Sequence, residues 1–416
     1  FVYQKIYLPA YTQTTTASGT DYPDARKQFM EALQKGSLVV NYAGHGASNS
    51  ITHEMLMTTD KASQLNMKNL PLWITASCDI SRWDSDDESM GEALLLNDNG
   101  GAIALISTVR VVYAQQNLSL NAAIARCLFN RKADGSRYRL GDILKEAKQS
   151  LGSDYNKLNF CLLGDPSMIL SYPEYQMEIT DIDYGEKTTL KGRVILPETG
   201  ETASDFNGLV YPTIYDATDT ITADKGLFQE PAYRFTTRTR KIFSGRDVIR
   251  NGLFEFSFIT PLDASIHTND GLVSLYACDE SNNEGNGFFE NMTIDQGEAV
   301  TKTDTIGPAI RKIFVNWPDF KSGDLVGPTP YFFAEVHDES GFNVTGNNVG
   351  HDISLTVRCV SNTMLGIKQY SLNDYLATSI GDPTTGNVKF SVPELSNGEY
   401  ELTFKVWDSF NNSATS

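Results

Sequence analysis

Two short turns carry residues able to do chemistry: Asn41-Tyr42-Ala43-Gly44-His45-Gly46 at the end of one apolar run, and Thr75-Ala76-Ser77-Cys78-Asp79 at the end of another. A cysteine thiol is a poor nucleophile at its free pKa. An imidazole that takes its proton, or stabilises the thiolate as an ion pair, supplies the activation that peptide cleavage needs. Gly46 has no side chain, so its backbone can approach a substrate carbonyl, and its N–H with that of Cys78 would form an oxyanion hole. His45 and Cys78 are 33 residues apart, about one βαβ unit. A right-handed crossover brings the two strand ends to the same sheet edge, where open α/β folds hold their ligands. The spacing therefore predicts His45 and Cys78 facing each other, at hydrogen-bond distance or slightly looser. The next apolar run, Ala102–Ile106, ends at the same edge. Ser107, Thr108, Val109 and Arg110 are thus expected to line the substrate pocket, Arg110 being as readily read as a surface ion-pair residue.

Other reactive side chains have plainer readings. Cys127 lies among Ile124, Leu128 and Phe129, and Cys161 beside Phe160, Leu162 and Leu163, so both read as packing residues. His53 would complete a His45/Cys78 zinc site only with a fourth ligand, and none is spaced for it. Asp84-Ser85-Asp86-Asp87-Glu88 lacks the spacing of an EF-hand and precedes a helix, where acids favour the macrodipole. No metal and no cofactor is expected. The five cysteines are scattered singly, without CxxC pairs.

The elements that must position the two turns follow from periodicity. Pro23 opens an amphipathic helix, Asp24–Gln34, stopped at Lys35-Gly36; buried strands follow at Leu38–Ala43, Leu72–Ala76 and Ala102–Ile106. Helices are expected at Ser89–Leu96, Leu118–Phe129 and Leu140–Leu151. A short apolar segment, Phe160–Leu163, precedes a last strand at Met168–Leu170. Apolar strands alternating with helices imply a parallel α/β sheet over residues 1–173. After Pro173 the pattern changes to period-two runs such as Leu253–Phe258 and Leu272–Tyr276, broken by Asn-Gly, Asp-Gly and Pro. Two β-sandwiches of immunoglobulin-like type fit, over residues 174–304 and 305–416, with a seam near Asp304-Thr305-Ile306-Gly307-Pro308. His267, His337 and His351 sit apart in these β segments, and the acidic excess reads as spread rather than gathered at a pocket. The tail is expected to dock partners without chemistry of its own.

Composition excludes several classes. The chain has 416 residues, 40% hydrophobic and 21% charged, and 34 Lys+Arg against 52 Asp+Glu give a net charge of −18. No basic stripe is present, so nucleic acid is not an expected partner. No window approaches the apolar length of a membrane-spanning helix, and residue 1 opens in mid-pattern, as at an internal cut.

The two turns, together with Gly91-Glu92-Ala93-Leu94-Leu95-Leu96-Asn97, Gly100-Gly101-Ala102-Ile103-Ala104-Leu105 and Leu162-Leu163-Gly164-Asp165-Pro166, resemble the gingipain-type cysteine peptidases, family C25 of clan CD, with their caspase-like fold. Val349-Gly350-His351-Asp352-Ile353 and Val406-Trp407-Asp408-Ser409-Phe410-Asn411-Asn412-Ser413 resemble the C-terminal sandwich of the family's sortase branch, which serves type IX secretion. That resemblance implies an enzyme on the outer face of the outer membrane of Bacteroidetes. It would remove the C-terminal signal domain of secreted cargo, with an outer-membrane barrel protein as partner and a lipopolysaccharide amine as acyl acceptor. Cys78 would be nucleophile and His45 general base and acid, and the carboxylate that orients the histidine would lie before residue 1, as would the first strands of the sheet. Asp79 after the nucleophile departs from the secreted gingipains and their Arg or Lys specificity. A secreted gingipain-like endopeptidase using the same dyad is the rival reading. A surface adhesin on a degenerate peptidase scaffold is the non-enzymatic one.

Overall fold

The computed structural model describes residues 2–16, 19–185, 187–225, 232–295, 304–346 and 350–416. Val349 of the sandwich motif lies outside them. The chain folds into two compact units, one of Gln4–Ser171 with Ile221–Phe235, the other chiefly of Tyr172–Thr220 with Thr236–Ser416.

The first unit is α/β. Its elements are α1 (Pro23–Lys35), β1 (Val39–Ala43), β2 (Leu72–Ala76), α2 (Met90–Leu96), β3 (Ala104–Thr108), α3 (Ala114–Phe129), α4 (Leu140–Ser150) and β4 (Phe160–Leu163). The sheet order is β1-β2-β3-β4, with β1, β2 and β3 parallel. β2 is buried over its whole length because neighbours flank both edges and side chains of α1, α2 and the loops cover it. That explains why it reads as an unbroken apolar run. α2 starts with Ser89 as N-cap, closing a capping box with Glu92.

Sequence expectations change at the last strand and at the start of β3. The last strand is Phe160–Leu163, antiparallel to β3, and Met168–Leu170 is irregular. One crossover helix returns the chain for a parallel strand, whereas here two helices, α3 and α4, intervene and send it back in the opposite direction. Gly164, at φ +129°, ends β4, and the chain then covers the α4 N-terminus: Leu140 and Gly141 donate their N–H groups to Met168 O and Pro166 O. This satisfies helix-terminal amides that would otherwise be orphaned. β3 begins at Ala104 rather than Ala102 because Gly101, at φ +98°, turns against α2, where Ala102 N–H donates to Leu94 O at 2.9 Å.

The second unit is all-β. Its first part has β5 (Tyr175–Tyr184), β6 (Thr188–Ile195), β7 (Gly208–Tyr215), β8 (Lys241–Ser244), β9 (Asp247–Arg250), β10 (Leu253–Phe258), β11 (Thr268–Asp279) and β12 (Glu284–Ile294). The strand order is β8-β7-β9-β10-β6-β5-β12-β11, and β11 pairs with β7 over the full length of the latter, so the sheet closes on itself. A closed sheet replaces the expected sandwich; β7 is the seam, holding β11 on one edge and both β8 and β9 on the other. Closure leaves few open edges and encloses a core of Val210, Ile214, Phe254, Phe256, Phe258 and Val273, among others.

The second part comprises β13 (Ala309–Val315), β14 (Tyr331–His337), β15 (Ser354–Cys359), β16 (Ile367–Ser371), β17 (Leu376–Ser379), β18 (Asp382–Ser391), β19 (Tyr400–Trp407) and β20 (Ser413–Thr415). They form two four-stranded sheets, β13-β14-β18-β17 and β16-β15-β19-β20, whose inward residues share one core that includes Phe332, Val388, Leu355 and Phe404. This is a sandwich. Asp263 joins it to the closed sheet, accepting from Asn343 Nδ2 at 2.8 Å and Asn411 Nδ2 at 2.8 Å, and paired with His351 Nδ1 at 2.7 Å. Burial pushes the Asp263 carboxyl up, but these donors outweigh it and hold the group below the usual range.

Candidate functional site

β1 and β2 run parallel with Ala43 opposite Ala76, and Gly44 N–H donates to Ala76 O at 3.4 Å. His45 and Cys78 each lie two residues beyond that last pair. Both therefore sit at the C-terminal edge of the sheet, on adjacent turns. The turns touch at Gly46: a Cβ there would lie 2.3 Å from Ser77 Oγ, 2.7 Å from Ile80 Cδ1 and 3.4 Å from Cys78 O. Glycine at this position lets the histidine loop close onto the cysteine loop.

Backbone bonds fix the His45 loop. Thr52 N–H donates to His45 O at 3.0 Å and the Tyr42 hydroxyl donates to the same oxygen at 2.5 Å. Burial pushes the Tyr42 phenol up to about 12, so it stays a neutral donor. The imidazole of His45 is exposed, and its ring centroid is 5.4 Å from that of His53.

Cys78 is half-buried. Its Sγ accepts from Val112 N–H at 3.5 Å and approaches Val112 O at 3.7 Å. The residue after it, Asp79, has φ 58°, a left-handed conformation that costs a non-glycine residue on the order of 1–3 kcal/mol and persists only when surroundings enforce it. Here they do: Asp79 N–H reaches Arg110 O at 3.4 Å, and Ser81 N–H donates to Thr108 O at 2.9 Å. The Cys78 turn is thus laced to the end of β3.

The four residues expected to line the pocket separate into two pairs. Ser107 and Thr108 are fully buried; the Ser107 hydroxyl lies 2.5 Å from that of Thr75, and the Thr108 hydroxyl donates to Ser77 O. Val109 and Arg110 reach solvent, and Arg110 is held by Asp84, whose carboxyl is lowered first by that hydrogen bond. Cys127 and Cys161 lie away from these turns, and burial raises both thiols.

Two features escaped sequence reading. Val112 contacts the sulfur through backbone atoms, for which an apolar side chain gives no signal. In the sandwich Asp304, Asp338 and Asp408, far apart in sequence, bring carboxylate oxygens within 4.8 Å of one another, so the acidic excess is not wholly spread. Burial pushes Asp338 up to about 7, with Asp408 and Asp304 adding to the rise.

Residues 1–171 match the model of peptidase family C25, a family of cysteine peptidases. Among solved structures the chain is similar to dimeric latent PorU from Porphyromonas gingivalis, at 32% identity over 76% of this chain and 31% of that one, with a TM-score of 0.35. It is also similar to the complex of pro- and mature domains of RgpB from the same organism, at 14% identity over 64% of this chain and 56% of that one, TM-score 0.34. The Arg-specific gingipain R gives 15% identity, 64% and 55% coverage and a TM-score of 0.33. The chain thus spans about a third of the PorU structure and about half of the gingipain ones. No curated protein matches it. Among the described residues no helix is long and apolar enough to cross a membrane.

Proposed function

We propose that this chain is the catalytic and docking portion of a sortase of type IX secretion, a cysteine transpeptidase that removes the C-terminal signal domain of secreted cargo at the outer face of the outer membrane. The observation that carries the peptidase chemistry is the meeting of the His45 and Cys78 turns at Gly46 within a C25 domain. His45 takes the thiol proton, and the Cys78 thiolate attacks the scissile carbonyl. The oxyanion is held by the N–H groups of Gly46 and Cys78. Collapse breaks the C–N bond, with His45 protonating the leaving amine, and a thioester remains. An incoming amine, such as one on lipopolysaccharide, then takes the acyl group and gives its proton to His45. Water in its place yields hydrolysis.

What favours the sortase branch over a secreted endopeptidase is the tail. The two stretches that resemble the sortase sandwich come together at the Asp263 junction, where the His351 ring lies 4.5 Å from that of Trp407 and Asn411 binds Asp263. A firm junction suits modules that present cargo, and an outer-membrane barrel partner, to the peptidase. The test is a folded reporter carrying a C-terminal signal domain, incubated with the chain and a soluble primary amine. The sortase reading expects the reporter product to carry the amine, and no product with Cys78→Ala. A free carboxylate with no amine adduct would favour the endopeptidase; cleavage that survives Cys78→Ala would refute both.

A further inference from the structure

We propose that the segment Val109–Tyr113, clamped by the helical turn Asn156–Asn159, is the specificity surface of this site and selects peptides with a large apolar side chain, rather than Arg or Lys, on the acyl side of the scissile bond. This rests on the peptidase reading and goes beyond it in naming the substrate class.

Position comes first. Val112 N–H lies 3.5 Å from Cys78 Sγ, so the residues on either side of Val112 stand next to the nucleophile. Val112 itself is 7% exposed, whereas Val111 is 66% and Tyr113 72% exposed. Two large side chains thus face solvent beside the sulfur, without the apolar cover that such residues ordinarily find. The turn bonded to this segment repeats the pattern, with Tyr155 81% and Leu158 69% exposed.

Rigidity is the second observation. Val109 N–H donates to Asn159 O at 2.9 Å, and Asn159 Nδ2 donates to Val111 O at 3.2 Å. Asn156 is buried and grips Tyr113 from both sides, its Oδ1 accepting from Tyr113 N–H at 3.1 Å and its Nδ2 donating to Tyr113 O at 2.7 Å. A surface held this way is preorganised, so a peptide laid on it loses little affinity to ordering the protein.

Charge is the third. From Ser107 to Tyr113 the only charged residue is Arg110, and its guanidinium is occupied by Asp84. With that pair formed, residues 107–113 offer a basic substrate side chain no carboxylate, whereas an apolar one covers Val111 and Tyr113.

The test uses the full chain and internally quenched peptides that differ only at the acyl-side residue: Leu, Phe, Ala or Arg. kcat/KM should fall in the order Phe and Leu, Ala, Arg, with Leu over Ala by about 10-fold or more, the range of a pocket that buries a few methylenes. Val111→Ser with Tyr113→Ser should bring the Leu to Ala ratio close to one, while Leu96→Ser, an exposed residue on α2, leaves it unchanged. The second readout is binding of the labelled Leu and Arg peptides to the Cys78→Ala chain. Equal binding, or a preference for Arg in either assay, overturns this inference. Tighter binding of the Leu peptide with no cleavage of any peptide by the unaltered chain upholds the surface and refutes the peptidase reading.

Discussion

Gly46→Ala asks whether the closeness of the two turns is what makes the site. The added Cβ would sit 2.3 Å from Ser77 Oγ and 2.7 Å from Ile80 Cδ1, whereas carbon atoms pack best at roughly 3.5–4.0 Å. Ser77 Oγ can rotate, since among the described residues it has no hydrogen-bond partner. Ile80 is fully buried and cannot swing into solvent. The His45 loop must therefore retreat by about 1 Å, a misplacement that costs on the order of 100-fold in rate. Overpacking of this kind costs about 1–3 kcal/mol, so the fold should survive. The assay is kcat/KM on a quenched peptide, with the thermal unfolding midpoint measured on the same preparation. Trimming the obstacle should restore part of the loss: Gly46→Ala with Ile80→Val should be faster than Gly46→Ala alone. Full activity in Gly46→Ala with an unshifted midpoint would refute the reasoning, because the loops would then not depend on contact at this point.

Thr75→Val leaves the fully buried Ser107 hydroxyl without its partner and should lower stability by about 1–3 kcal/mol, read as a drop in the denaturant midpoint; no change would mean that the 2.5 Å contact carries no net energy. For Asp338 the folded carboxyl stands near 7 against 3.8 for the free group, mainly through burial. The folded state therefore holds the proton more tightly than the unfolded chain, and stability from this group is present at low pH and lost as pH rises from about 4 through 7. Asp338→Asn, neutral throughout, should be the more stable form above pH 7 and show a flatter thermal midpoint between pH 4 and 8; parallel curves for the two proteins would contradict the burial argument.

The elements around the candidate site were legible wherever they rested on local pattern. Leu72–Ala76 and Leu253–Phe258 form strands at the predicted bounds, because an apolar run and a strict alternation each fit one environment. The placing of His45 and Cys78 on one edge followed from a single crossover. Helix α3 begins at Ala114, ahead of the predicted Leu118, because its first turn is polar and is fixed by Asn117 N–H donating to Tyr113 O rather than by an apolar stripe. What the sequence hid are relations between distant segments. The antiparallel course of β4 depends on how two helices fold back, and closure of the first β module on the register of β7 with β11. The approach of Asp304 to Asp338 and Asp408 depends on the stacking of two sheets, and the contact of Val112 with sulfur is made by backbone atoms that every residue type carries.

The central claim, that His45 activates Cys78, is tested most directly by the rate at which iodoacetamide alkylates each cysteine at neutral pH, followed by mass spectrometry. Cys78 should react well ahead of Cys127 and Cys161, whose thiols burial raises, and His45→Ala should slow it to the rate of an ordinary thiol. A Cys78 rate no greater than that of Cys127, or one that His45→Ala leaves unchanged, would contradict the account.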